Sequence, residues 1–322
     1  MKYCFIINPR AGKGAFVEEL ENSIVSACTS AGVEYDIFIS KKLFNTQEYI
    51  KTMTKDMTDR ITFFACGGDG TLFGTMLAVM SLDEEIRKNV CVGIVPKGTG
   101  NDFVSNFDSK DLFCDMSAQI EGKEHEIDLL KCNDLYSVNM INIGFDCHVV
   151  CNKEKIGRKK FVPRKLAYII ALVMTLVKKP TVTILCDGEE NEPKKKKLLL
   201  TTLANGSFCG GGFRSNPFAS LTDGNVDCVE VKNLGRIRFL TMVSSYKKGK
   251  HLRGQYKDRI DHFKTKEVNL CFDGETPVSV DGDIIRTKEL HISVAERALT
   301  ILIPKGVKPI VEGVQHDASY SV

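Results

Sequence analysis

Residues 61–75 read Ile-Thr-Phe-Phe-Ala-Cys-Gly-Gly-Asp-Gly-Thr-Leu-Phe-Gly-Thr. The first six form a short apolar run suited to a sheet covered on both faces. After them Gly67, Gly68 and Gly70 remove three Cβ atoms in four positions. The backbone can therefore take positive φ and bring several N–H groups near one ligand. Such a turn is an anion seat. Asp69 is a carboxylate set where phosphate would be welcome, which makes sense with a divalent cation between the two. Thr71 is placed to cap the following helix or to meet a phosphate oxygen. A plain tight turn, with Asp bonding its own backbone, is the competing reading.

Two more stretches weigh against that plain turn. Asn8-Pro9-Arg10-Ala11-Gly12-Lys13-Gly14 ends the first strand, and Pro96-Lys97-Gly98-Thr99-Gly100-Asn101-Asp102-Phe103 ends a later one. Three glycine loops, each after an apolar strand and before a helical pattern, belong at the carboxyl ends of one parallel sheet. Together they point to a nucleotide-phosphate site. Arg10 and Lys13 are loop cations for the transferring phosphates or for solvent.

Working outward, strands are expected at residues 3–7, 34–40, 61–66 and 90–95. They alternate with helices at 15–30, 46–57, 71–80, 102–107 and 110–121. This rhythm predicts a three-layer α/β domain with a parallel sheet. From about residue 123 the pattern turns to strands, at 125–132, 136–143, 181–186, 198–205, 226–232, 259–264, 268–272, 289–294 and 299–303. Helices interrupt only at 166–177 and 238–248, so the second half is expected to be mainly antiparallel.

With 322 residues, 43% of them hydrophobic, the chain can build one large or two ordinary domains with real cores, and two is the preferred reading. A net charge of +3 gives no global field for nucleic acid. The twelve cysteines include no CxxC pair and several fall in apolar strands, which suits reduced core thiols in a cytosolic protein. Cys147, His148 and Cys151 are the nearest approach to a metal cluster, and a bland reading fits their spacing better. The opening apolar run is too short for a signal peptide and reads as the first strand. The longest apolar stretch, at 166–177, falls short of the roughly 20 residues a membrane span needs, so it is expected to be a buried or interfacial helix.

The set Asn8-Pro9…Gly12, Gly67-Gly68-Asp69-Gly70-Thr71 and Pro96…Gly98-Thr99…Asn101-Asp102-Phe103 resembles the diacylglycerol kinase catalytic domain family, specifically its soluble bacterial lipid kinases, which are related to sphingosine kinases. The resemblance covers nearly the whole chain. It implies a Rossmann-like nucleotide domain at residues 1–127 and an antiparallel β-sandwich lipid-substrate domain at 128–303. The active site would lie in the cleft between them, and residues 304–322 would return to the first domain. It implies magnesium-assisted transfer of the γ-phosphate of ATP to the hydroxyl of diacylglycerol or a related lipid. The protein would be cytoplasmic, peripherally and transiently docked on the membrane, with no nucleic-acid partner and a homodimer as a candidate assembly.

Carried over residue by residue, the resemblance assigns nucleotide binding to Asn8, Pro9, Arg10, Gly12, Lys13, Ser40, Gly67, Gly68, Asp69, Gly70, Thr71, Gly98, Thr99, Asn101 and Asp102. It puts Asp128 in a magnesium-water network with Asp69, and Asp146 near the acceptor head group; a turn-forming role is the alternative for either acid. It puts a structural magnesium at Asp223 with the carbonyls of Ser220 and Asn225, where an Asp-Gly hairpin turn is the alternative. The general base falls to Asp283 by position, with Glu275 in reserve because Asp273-Gly274-Glu275 has the family's letters. Phe73-Gly74 departs from the Asn-Glu of relatives and leaves the adenine-side contacts open. The basic stretches at 158–165 and 194–197 are either solvated or face anionic lipid. An NAD kinase, which shares Gly-Gly-Asp-Gly, and a relative that binds nucleotide or lipid without catalysis are the other readings.

Overall fold

The computed structural model describes residues 1–12, 16–40, 43–157, 181–186 and 194–310, together with residues 170, 174, 175 and 178. Lys13, the basic stretch at 158–165, most of the apolar stretch at 166–177, the Asp146 side chain and the chain after Ile310 lie outside the described residues.

β1 (Lys2–Ile7) alternates Tyr3, Phe5 and Ile7 with Cys4 and Ile6, and all five are buried. A strand with period-two side chains and no polar face must be covered on both sides. On one side Leu20, Ile24 and Cys28 of α1 (Val17–Ala31) pack against Phe5 and Phe64. On the other, Ile50 of α2 (Leu43–Thr54) and Leu72, Phe73 and Met76 of α3 (Asp69–Met80) pack against Ile6 and Phe63. β1 pairs in parallel with β2 (Glu34–Ile39) and with β3 (Ile61–Gly67), and β3 pairs in parallel with β4 (Val90–Pro96). After the four-residue α4 (Glu84–Arg87) and β4, the expected helices at 102–107 and 110–121 are tight 3-10 turns at Phe103–Asn106 and Asp111–Cys114 and a short α5 (Met116–Ile120). Asp115 starts α5 by accepting from the N–H groups of Ser117 and Ala118.

β5 (Lys123–Cys132) runs unbroken through the 127/128 division expected from sequence. The expected strand at 136–143 is two, β6 (Leu135–Ser137) and β7 (Met140–Gly144), because the Asp281 carboxylate takes the N–H groups of Val138, Asn139 and Met140. A helix not foreseen, α6 (Phe145–Gly157), follows. Then come β8 (Val182–Cys186), β9 (Lys194–Ala204), β10 (Val226–Lys232), α7 (Arg236–Lys247), β11 (Ile260–Thr265), β12 (Glu267–Val280) and β13 (Asp283–Ile303). β9 and β12 each pair with both β7 and β8, closing a ring of antiparallel strands. One face of β9 and β10 carries a separate apolar cluster under α6 and α7, with Leu200, Val229, Phe239 and Met242 in it.

The expected strands at 289–294 and 299–303 are a single 21-residue β13, bulged between Ala295 and Leu299, where Arg297 has φ +50°. Its end lies parallel to β4 through Ile301 and Val92, so the chain rejoins the first sheet before residue 304. Residues 308–310 continue along Asn106 and Asp108.

Candidate active site

The three glycine loops meet. Lys97 N–H donates to the Gly67 carbonyl at 2.7 Å and Asn8 N–H to the Cys66 carbonyl at 3.0 Å. The Asn8 side-chain amide donates to the Thr71 hydroxyl at 3.0 Å. Thr71 therefore does not cap α3; Gly68 stands at the cap with no side-chain bond. Gly68 and Gly98 pass so closely that a Cβ on Gly98 would lie 2.4 Å from the Gly68 Cα. Asn101, at φ +53°, closes the third loop by exchanging hydrogen bonds with the Gly98 N–H and carbonyl, both 3.0 Å. The Asp69 carboxylate accepts from the Asp102 N–H at 2.7 Å and the Phe103 N–H at 3.3 Å, tying the start of α3 to the third loop.

These loops form one end of a cavity of about 680 Å³. Asn8, Arg10, Gly12, Gly68, Asp69, Gly70, Thr71, Gly98, Thr99, Asp102 and Asp283 all line it. Pro9, Ser40, Gly67 and Asn101 do not: Ser40 N–H bonds the Ile7 carbonyl at the end of β2, and Gly67 and Asn101 act within the loops. The far end of the cavity is apolar, with Phe145, Val149, Leu200, Phe239, Met242 and Tyr246 from α6, β9 and α7. Nothing in their spacing announced this arm, since its members come from elements nearly a hundred residues apart.

Between the two ends, Asp102 reaches from the third loop to the second half of the chain. Its carboxylate accepts from the N–H groups of Gly211, at 3.0 Å, and Gly212, at 2.8 Å. Gly210, Gly211 and Gly212 all have positive φ, and this run of left-handed residues turns consecutive N–H groups toward one anion. Burial raises the Asp102 carboxyl above the ordinary aspartate value; the Gly211 N–H works against the rise and the nearby Asp69 charge adds to it.

The turn between β12 and β13 decides between the two late acids. Asp281 and Gly282 have φ +46° and +98° and join Val280 to Asp283 as a two-residue hairpin. This turn aims Asp281 inward, where its carboxylate accepts from Ser137 Oγ at 2.9 Å as well as from the three backbone N–H groups. Burial pushes the Asp281 carboxyl up to about 6, against the pull of those donors. Asp283 is exposed at the head of β13 and lines the cavity, whereas Glu275 is exposed on β12 and does not.

Two sequence expectations are corrected. Asp128 is not brought to Asp69: it is 2% exposed, does not line the cavity, and accepts from the N–H groups of Gly224 and Arg297, both at 2.8 Å. Asp223 does not offer a magnesium site with Ser220 and Asn225. Lys264 Nζ lies 2.6 Å from one Asp223 oxygen, and the Asn225 N–H donates to the other at 3.1 Å. The Asp223 carbonyl accepts from the Asn225 side chain at 2.7 Å. An ammonium on the only carboxylate of the set does not fit a divalent cation there. The lysine run belongs to β9, with Lys195 3.1 Å from Asp273 and Lys196 paired to Glu230. Phe73, 3% exposed, is part of the core under β1 and β3 rather than of the cavity.

Residues 2–132 match the diacylglycerol kinase catalytic domain, and residues 139–303 match the YegS C-terminal NAD kinase beta sandwich-like domain. The chain is 27% identical over 292 residues to a Staphylococcus epidermidis protein named "Putative lipid kinase", covering 89% of this chain and 90% of that one. It is 24% identical over 317 residues to "Putative lipid kinase YtlR" of Bacillus subtilis, covering 92% and 98%. A solved diacylglycerol kinase from Bacillus anthracis str. Sterne shares the fold with a TM-score of 0.66, at 21% identity, over 94% of this chain and 97% of that one.

Proposed function

The chain belongs to the diacylglycerol kinase catalytic domain family, with the YegS-type second half, and from this we propose that it transfers the γ-phosphate of ATP to the hydroxyl of diacylglycerol or a similar lipid. One observation carries the reading: a single cavity is lined by the glycine loops and by an aromatic and aliphatic arm from α6, β9 and α7. A triphosphate suits the first end, because backbone N–H groups and the start of α3 favour anions. An acyl chain suits the second, because Phe145, Leu200, Phe239 and Met242 give it no polar partner.

In this reading the nucleotide enters as its magnesium complex. Asp69 faces the phosphates while its hydrogen bonds to the third loop fix the loop's position. Asp283 receives the acceptor proton. Phosphoryl transfer asks mainly for alignment and charge neutralisation, so an exposed Asp suffices without a strong base. The apolar arm favours a lipid over NAD, whose second nucleotide would need polar groups there.

The test is transfer of labelled phosphate from ATP to diacylglycerol in mixed micelles, with NAD as a parallel acceptor. Asp69→Asn keeps an oxygen to accept from the Asp102 and Phe103 N–H groups, so it is expected to melt like the parent. Its transfer should fall about 100-fold or more. Absence of transfer to every lipid tried, or full activity in Asp69→Asn, would overturn the reading.

A further inference from the structure

Among the described residues the two most exposed large apolar side chains are Ile237, at 81%, and Leu240, at 56%, one turn apart on α7. Four other residues of the same helix, Phe239, Met242, Val243 and Tyr246, line the cavity. At 100° per residue these two sets fall on opposite sides, with Thr241 and Ser244 beside Ile237 on the outer one. A helix that needed only to wall the cavity would carry polar residues outside. This one also exposes two large aliphatic side chains there, Ile237 and Leu240.

Its surroundings are strongly basic. Residues 235–259 contain Arg236, Arg238, Lys247, Lys248, Lys250, Arg253, Lys257 and Arg259 against the single acid Asp258, a net of +7 in a chain whose total is +3. All eight basic residues are exposed. Asp258 compensates part of this charge, lying 3.8 Å from Arg238 and 3.1 Å from Arg259. An exposed apolar pair in so cationic a stretch of chain matches a surface that is anionic outside and hydrocarbon just beneath.

We propose that the outer face of α7 rests on an anionic lipid bilayer, Ile237 and Leu240 entering the headgroup boundary and the lysines and arginines of residues 235–259 meeting lipid phosphates. The proposal rests on the lipid-kinase reading only for the presence of a bilayer. The helix would then stand between the membrane and the apolar arm of the cavity, one face to each.

The experiment is co-sedimentation with phosphatidylcholine vesicles containing or lacking phosphatidylglycerol, at low and high salt. The parent protein is expected to bind the anionic vesicles and to release as salt rises. Ile237→Glu/Leu240→Glu is expected to bind them at least about tenfold more weakly, and Lys248→Glu/Lys250→Glu to need lower salt for the same binding. Neither pair touches the cavity, so melting temperature and turnover of a monomerically dispersed short-chain diacylglycerol should stay at parental values. The proposal is overturned if the parent ignores anionic vesicles, or if the Ile237/Leu240 variant sediments like the parent. It is also overturned if that variant only converts a dimer to a monomer by light scattering, which would make this face a self-contact. Should the parent bind vesicles through these residues yet phosphorylate no lipid, the surface stands and the kinase reading alone falls.

Discussion

Alanine at Gly98 and alanine at Gly70 should part company. At Gly98 the new Cβ would lie 2.4 Å from the Gly68 Cα, 2.8 Å from Asn101 Oδ1 and 3.2 Å from the Gly68 nitrogen. Two of those atoms are backbone and cannot rotate aside, so the second and third loops must separate by about 1 Å to reach ordinary contact. Overpacking of that kind costs roughly 1–3 kcal/mol. A displacement of about 1 Å between groups that must align costs on the order of 100-fold in rate. At Gly70 a Cβ meets nothing within 4 Å and φ is ordinary, and the position is in the first turn of a helix. Alanine there should leave stability unchanged or raise it by about 0.5–1 kcal/mol. Yet Gly70 lines the cavity, and a methyl in the path of a phosphate should raise the Kd for ATP about tenfold, roughly 1.4 kcal/mol. Gly274, equally open and away from the cavity, serves as the control. Scanning fluorimetry and ATP titration calorimetry separate the outcomes. Gly98→Ala should lose both stability and nucleotide, Gly70→Ala nucleotide alone, and Gly274→Ala neither. Parental ATP affinity in Gly70→Ala would refute the phosphate seat, and a parental melting temperature in Gly98→Ala would refute the contact between the loops.

Asp281→Asn puts an amide donor among four donors and should destabilise the protein by about 1–3 kcal/mol. A carboxyl raised to about 6 in the folded chain holds its proton longer there than when unfolded, so its contribution is present at acid pH and lost as pH rises through about 6. The parent should therefore gain melting temperature relative to Asp281→Asn on going from neutral to acid pH, and a gap that is flat or that narrows would contradict this. With Lys264 on Asp223, a chelator should leave the parent's melting temperature unchanged, whereas Lys264→Ala frees the carboxylate and should make melting respond to added magnesium. A chelator-sensitive parent would restore the metal reading.

The glycine-loop end of the cavity was legible because its signal is local: glycines crowded after an apolar strand state the backbone's need within a few residues. The apolar arm was not, since Phe145, Leu200 and Phe239 converge only after folding. Helix α7 hid its two faces, because Ile237 and Leu240 interleave with Phe239 and Met242 and blur the polar stripe that Thr241 and Ser244 would mark. Asp281-Gly282-Asp283, all three of which line the cavity, does not announce that the first carboxylate is taken up by the backbone of residues 138–140; the paired positive φ values of the hairpin turn Asp281 that way. The magnesium expectation at Asp223 failed on Lys264, which lies beyond the loop in sequence and reaches it through the pairing of β11 with β10.

Asp128, buried outside the cavity, still bears on the first half of the chain. Its two carboxylate oxygens hold the Gly224 N–H, in the loop before β10, and the Arg297 N–H, at the bulge of β13. Arg297 sits at φ +50°, a conformation a bulky residue adopts only when something over-determines it. A buried carboxylate accepting two backbone N–H groups is such a determinant. β13 begins with Asp283 in the cavity and ends beside β4, whose next residues are the third glycine loop. The bend of that one strand therefore relates Asp283 to the glycine loops. An acid buried outside the cavity can set the geometry of its lining by fixing where the strand turns.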